Sequence, residues 1–173
     1  MERCGRGILR DGMTDSELLH YAAEFRFAVI GDGASSRMCA AISDPLCAAL
    51  AVLGVPAQVM ETVLEDCNHV FLQLPDGRVL DPTADQFNSA GSPPLPAVYL
   101  GDVTRNHTNA TVRPEAAVWA PLLLEFKRFV PRYSAREVGG MVRMALATLP
   151  PEMCELPGHT ASTPGVRPLL PST

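Results

Sequence analysis

No run of 18 apolar residues occurs in the chain, so nothing in it predicts a membrane-spanning helix. Charge is scarce as well. Only 19% of the 173 residues are Asp, Glu, Lys or Arg, the 14 basic ones form no cluster, and the net charge is −5 with histidines neutral. A mildly acidic chain without a basic stripe argues against a partner recognised through its phosphate backbone. Cysteines are few and odd in number: Cys4, Cys39, Cys47, Cys67 and Cys154 are widely spread, with no Cys-x2-Cys or His-x3-His spacing among them. That usage suits a reducing compartment better than a disulfide scaffold. No apolar leader follows Met1-Glu2-Arg3-Cys4-Gly5-Arg6-Gly7, which runs into Asp11 and Asp15; the expectation is no signal peptide and a cytoplasmic protein. What the chain does have is 47% hydrophobic residues in a length close to one typical domain, enough to bury a core.

Residues 1–10 carry charge without periodicity and read as a flexible lead-in. Thr14-Asp15-Ser16-Glu17 is a capping box, and Leu18, Leu19, Ala22, Phe25 and Val29 follow at helical spacing. Gly31 and Gly33 supply the stop, so a helix is expected over 14–30. After the Gly31–Ser36 loop, Met38, Ile42, Leu46, Ala49, Leu50 and Leu53 predict a second helix. Ser35 or Ser36 is its expected N-cap, and Pro45 its expected kink or break. A strand is expected over 57–64 and a β-hairpin over 69–81, turning at Pro75-Asp76-Gly77. A short strand is expected at Val98-Tyr99-Leu100, and helical periodicity returns at 114–129 and 135–149. Residues 150–173 hold six of the sixteen prolines and read as a disordered tail. The domain proper is therefore expected over 11–149, of the α+β class.

Cysteine nucleophiles need an acidified thiol, an imidazole to pair with it and a group that fixes the imidazole tautomer. Cys39 falls in the first turn of the second helix, where the helix dipole favours a thiolate. His69 opens the first hairpin strand and Asp81 closes the second. A three-residue loop with Gly77 left-handed sets Leu74 opposite Arg78 and Phe71 opposite Asp81. His69 then lies diagonal to Asp81 on the same face, about 7–8 Å between Cα atoms and within reach of a hydrogen bond. A two-residue loop would send the two to opposite faces. His20, His107 and His159 have no such setting, His20 on a helix face and the others in loops. Asn106-His107-Thr108 and Asn109-Ala110-Thr111 fit the glycosylation sequon only formally, without a leader.

The segment His69-Val70-Phe71-Leu72-Gln73-Leu74-Pro75-Asp76-Gly77-Arg78-Val79-Leu80-Asp81-Pro82-Thr83-Ala84-Asp85-Gln86-Phe87 resembles the His and Asp blocks of the transglutaminase-like and papain-like cysteine enzymes. Cys39-Ala40-Ala41-Ile42-Ser43 with Leu46, Leu50, Gly54 and Ala57 resembles their nucleophile helix and the strand after it. The order Cys, His, Asp is that of the family, and residues 35–87 are covered. The Asp-Pro-Thr-Ala-Asp-Gln-Phe stretch is similar to bacterial members, some of them papain-like toxins or effector deamidases. The resemblance implies a nucleophile-bearing helix packed on an antiparallel sheet, with Cys39 as nucleophile, His69 as general base and acid, and Asp81 as orienting carboxylate. Arg37-Met38 is bulkier than the residues usual before the cysteine, and Phe71 stands where an aromatic, often Trp, lies near the histidine. No Gln precedes Cys39, so only the Cys39 backbone N–H is named as an oxyanion donor.

These readings lead to a cysteine hydrolase of amide bonds, a peptidase or glutamine deamidase, working through a thioester on a protein or peptide carboxamide. No cofactor, metal, nucleic acid or membrane is expected. The alternatives are a transglutaminase-type acyl transferase, a non-catalytic module with the same fold, and a zinc set of Cys67 and His69 with Cys39 or Cys47.

Overall fold

The computed structural model describes residues 13–33, 35–65, 67–88, 94–114, 125–126 and 128–148. The expected lead-in over 1–10, the tail over 150–173 and most of the 114–129 helix lie outside the described residues.

Helix α1 (Asp15–Ile30) starts at the capping box: the Thr14 hydroxyl accepts from the Glu17 N–H, and the Glu17 carboxylate accepts from the Thr14 N–H at 2.7 Å. Leu18, Ala22, Phe25 and Val29 form its buried stripe. It ends at Gly31, whose φ of +64° is a conformation that glycine adopts without penalty.

Helix α2 (Cys39–Val52) departs from expectation twice. Its N-cap is Met38, with no side-chain cap, because the Ser35 hydroxyl is engaged elsewhere: it accepts from Arg26 Nη2 at 2.7 Å and donates to Asp85. Pro45 lies inside the helix without ending it. The one backbone bond it forfeits is to the Ala41 carbonyl, and its ring is buried.

Strands β1 (Gln58–Val63), β2 (Asn68–Gln73), β3 (Val79–Asp81), β4 (Tyr99–Gly101) and β5 (Thr111–Val112) form an antiparallel sheet in the order β4-β3-β2-β1-β5. Leu72 stands opposite Leu80 and Gln73 opposite Val79, the register of the three-residue loop, and Gly77 takes φ +86°. Alternation along β2 turns Val70, Leu72 and Leu74 toward the helical side, while Phe71 joins Met60 and Val79 on the other face. α2 packs on β2 and β1; helix α3 (Ala135–Thr148) packs on α1. The class is thus α+β, with helices on an antiparallel sheet. Among the described residues no helix is long and apolar enough to cross a membrane.

Candidate active site

The chain enters α2 through a tight turn, Met38 donating its N–H to the Ser35 carbonyl at 2.9 Å. Within it Arg37 takes φ +63°, a left-handed conformation that costs a residue with a Cβ roughly 1–2 kcal/mol. Cys39 follows as the first residue of α2, 4% exposed and packed with Ala40 and Val70. Its Sγ lies 3.9 Å from the Asn68 carbonyl oxygen, at the point where β2 begins. One turn on, the buried Ser43 hydroxyl donates to the Val70 carbonyl at 3.1 Å and holds the helix against the strand.

His69 and Asp81 are both fully buried. His69 Nε2 donates to Asp81 Oδ2 at 2.8 Å, so the hairpin brings together the pair its register predicts. Asp81 is held from two further sides. Its Oδ1 accepts from the Thr83 N–H at 2.9 Å and the Thr83 hydroxyl at 3.2 Å. Its Oδ2 also accepts from His107 Nε2 at 3.2 Å. Burial alone would raise the Asp81 pKa, but the hydrogen bonds of His107 and His69, the His69 charge and the Thr83 N–H outweigh it and lower it to about 2. For His69, burial pulls the pKa down. Hydrogen bonds to Asp81 and Cys39, with the charges of both, outweigh it and lift the value to about 9. Cys39 is thus among the groups that act on the imidazole. The ring is walled by Phe87, edge-on at 4.6 Å between centroids, and by Phe71 at 5.7 Å.

Sequence reasoning passed over two residues that touch this site. From the sequence alone His107 falls in a loop. It lies instead on the short 3-10 turn Arg105–His107, buried, edge-on to Phe71 and 6.0 Å from the Tyr99 ring. The pairing of β4 with β3 is what returns this loop to Asp81. Gln86, on the 3-10 turn Ala84–Phe87, places its carboxamide nitrogen 2.8 Å from His69 Nδ1 and 3.2 Å from Thr83 Oγ1. It sits in the family-like stretch 69–87, where the resemblance implies no role for it. The turn that carries it is fastened to α1 and to the loop before Cys39. Arg26 Nη2 donates to Asp85 Oδ2 at 3.0 Å, and Ser35 donates to Asp85 Oδ1.

Among the described residues, the one His/Cys/Asp/Glu group compact enough for a metal is His69, Asp81 and His107, and no cysteine joins it. Its second surroundings are wrong for a cation. A metal-bound imidazole donates its free N–H to an acceptor. His107 Nδ1 instead accepts from the Thr104 backbone N–H at 3.2 Å, so the ring's N–H is on Nε2 and points at Asp81. The three groups satisfy each other as a hydrogen-bond relay.

Compared with family models, curated protein sequences and solved structures, the chain finds no match in any of the three. Its chemistry is therefore read from the site itself.

Proposed function

We propose that this chain is a cysteine-dependent hydrolase of amide bonds, on a papain-like or transglutaminase-like variant of the α+β fold. The observation that carries the reading is the buried His69–Asp81 hydrogen bond of 2.8 Å, in a ring that Cys39 acts on from the start of α2. Asp81 holds the ring with its N–H on Nε2, which leaves Nδ1 to exchange a proton with the thiol. In the reaction the thiol proton passes to Nδ1 and Sγ bonds to the carboxamide carbon. The oxyanion then collapses, and Nδ1–H protonates the departing amine or ammonia. Water releases the thioester by the same route. Hydrolysis is favoured over acyl transfer because no amine-recognition feature is legible among the residues of the site. The substrate class is a protein or peptide carboxamide; no nucleic acid or membrane partner is invoked. The setting proposed is the reducing cytoplasm, where Cys39 would stay a thiol.

The test is selective alkylation together with a substitution. Iodoacetamide near neutral pH should label Cys39 well ahead of Cys47 and Cys67, located by tandem mass spectrometry. Release of ammonia or of new termini from a denatured protein substrate should vanish in Cys39→Ala, with the thermal midpoint nearly unchanged. A Cys39 that reacts no faster than the other thiols, or a Cys39→Ala protein with full turnover, overturns the reading.

A further inference from the structure

The orientation of the Gln86 carboxamide follows from a single hydrogen. The Thr83 hydroxyl has one proton to give, and the ionised Asp81 Oδ1, an acceptor only, claims it at 3.2 Å. Towards Gln86, Thr83 Oγ1 can therefore only accept, so the amide nitrogen faces it, at 3.2 Å. The same nitrogen lies 2.8 Å from His69 Nδ1 and donates its other hydrogen there. With Nε2–H committed to Asp81, this is the arrangement of a neutral imidazole whose one free lone pair is spent on Gln86.

Nδ1 is also the nitrogen left for Cys39, and one lone pair cannot serve two donors. Once Nδ1 takes the thiol proton it becomes a donor itself and expels the Gln86 N–H. With a pKa of about 9, His69 is in that protonated state at neutral pH, so the parked arrangement belongs to the ring once it has given its proton up. The expelled donor stays close by. Its turn is pinned through Asp85 to Ser35, in the loop that leads into Cys39, and its other hydrogen keeps the Thr83 anchor.

We infer that Gln86 is a catalytic residue, the second oxyanion donor of this site: its N–H is parked on His69 Nδ1 and passes to the acyl oxygen when Nδ1 is protonated. This rests on Cys39 as the nucleophile. As the Sγ–carbon bond forms, the carbonyl π pair moves to oxygen, and the Gln86 N–H and the Cys39 backbone N–H share that charge. Collapse restores the carbonyl, breaks the bond to the leaving group and returns Gln86 to Nδ1 once the proton has left.

Two reagents separate this role from a structural one. Iodoacetamide alkylates a thiolate by displacement and makes no oxyanion; p-nitrophenyl acetate acylates it through one. Both rates are measured at Cys39 with the other four cysteines replaced by serine, in wild type, Gln86→Leu and Gln86→Met, the last close in length and without a donor. In both variants acylation should fall by about tenfold or more while alkylation stays within about threefold. An unchanged ratio of the two rates, whether both fall together or neither falls, overturns the role of Gln86. A wild-type Cys39 no more reactive than a free thiol toward either reagent overturns the enzyme reading itself, a distinct result.

Discussion

Asp81 receives the N–H groups of two histidines on one oxygen and the hydroxyl and N–H of Thr83 on the other, which uses its whole acceptor capacity in a buried site. Asp81→Asn leaves one oxygen to face donors on both sides and turns an NH2 group toward one set of them. The stability loss should be about 1–3 kcal/mol, read from urea unfolding. With the anion gone the His69 pKa falls. The falling limb of alkylation by iodoacetate, an anion that needs the imidazolium beside the thiolate, should therefore move to a lower pH than in wild type. An unmoved limb would mean that Asp81 does not govern His69. His107→Phe tests the other side of the carboxylate. The ring volume is kept while one donor is lost, again for about 1–3 kcal/mol. Asp81 is then less depressed, so the midpoint of acid unfolding should move to higher pH, followed by far-UV circular dichroism.

The hairpin 69–81 is the element on which the site depends. Its loop is short enough for chemistry to dictate the register: the Leu74 N–H donates to the Arg78 carbonyl oxygen in a closing bond of 2.8 Å, and the Gly77 N–H donates to the Leu74 carbonyl at 2.9 Å. Gly77 supplies the left-handed residue that the turn requires. A Cβ there would meet nothing within 4 Å, so the cost of substitution is conformational alone. Gly77→Ala should lower stability by about 1–2 kcal/mol, visible as a lower thermal midpoint with the alkylation selectivity of Cys39 retained. A loss of that selectivity would show that the turn residue also holds the register. At the start of α2 distant partners override the local signal. Ser35 has a good cap side chain, but the buried Arg26 and Asp85 recruit it, and Met38 takes the N-cap position with no side-chain bond.

For the molecule as a whole, the paired site groups predict a pH window. His69 holds its proton more tightly in the folded chain, with a pKa of about 9. Its stabilisation is fully present below the ordinary imidazole value of about 6.5 and is lost as pH climbs through the folded value. Asp81 holds its proton less tightly, with a pKa lowered to about 2. Its stabilisation is present above the ordinary carboxylate value of about 3.9 and is lost as pH falls through the folded one. The thermal midpoint should therefore form a plateau between about pH 4 and 6.5 and decline on both sides. In Asp81→Asn the alkaline decline should be blunted, since the His69 shift that produces it is largely removed.

Local patterns carried the parts of this protein that local physics decides. Thr14 and Glu17 cap each other across one turn, the apolar spacing of 18–29 and 42–50 marks two buried helix faces, and the turn at 75–77 places His69 and Asp81 on one side of a hairpin. Each rests on interactions within a few residues or between directly adjacent strands. What depends on distant segments was not legible. His107 reaches Asp81 only because β4 pairs with β3 and carries the following loop back over the sheet. Arg26, Ser35 and Asp85 meet across three separate segments. Gly139 lies mid-helix, where propensity disfavours it, because α1 passes so close that a Cβ would come 2.6 Å from the Phe25 carbonyl oxygen. In each case the side chain was chosen by a neighbour far along the chain, and only the packed tertiary structure brings that neighbour into range.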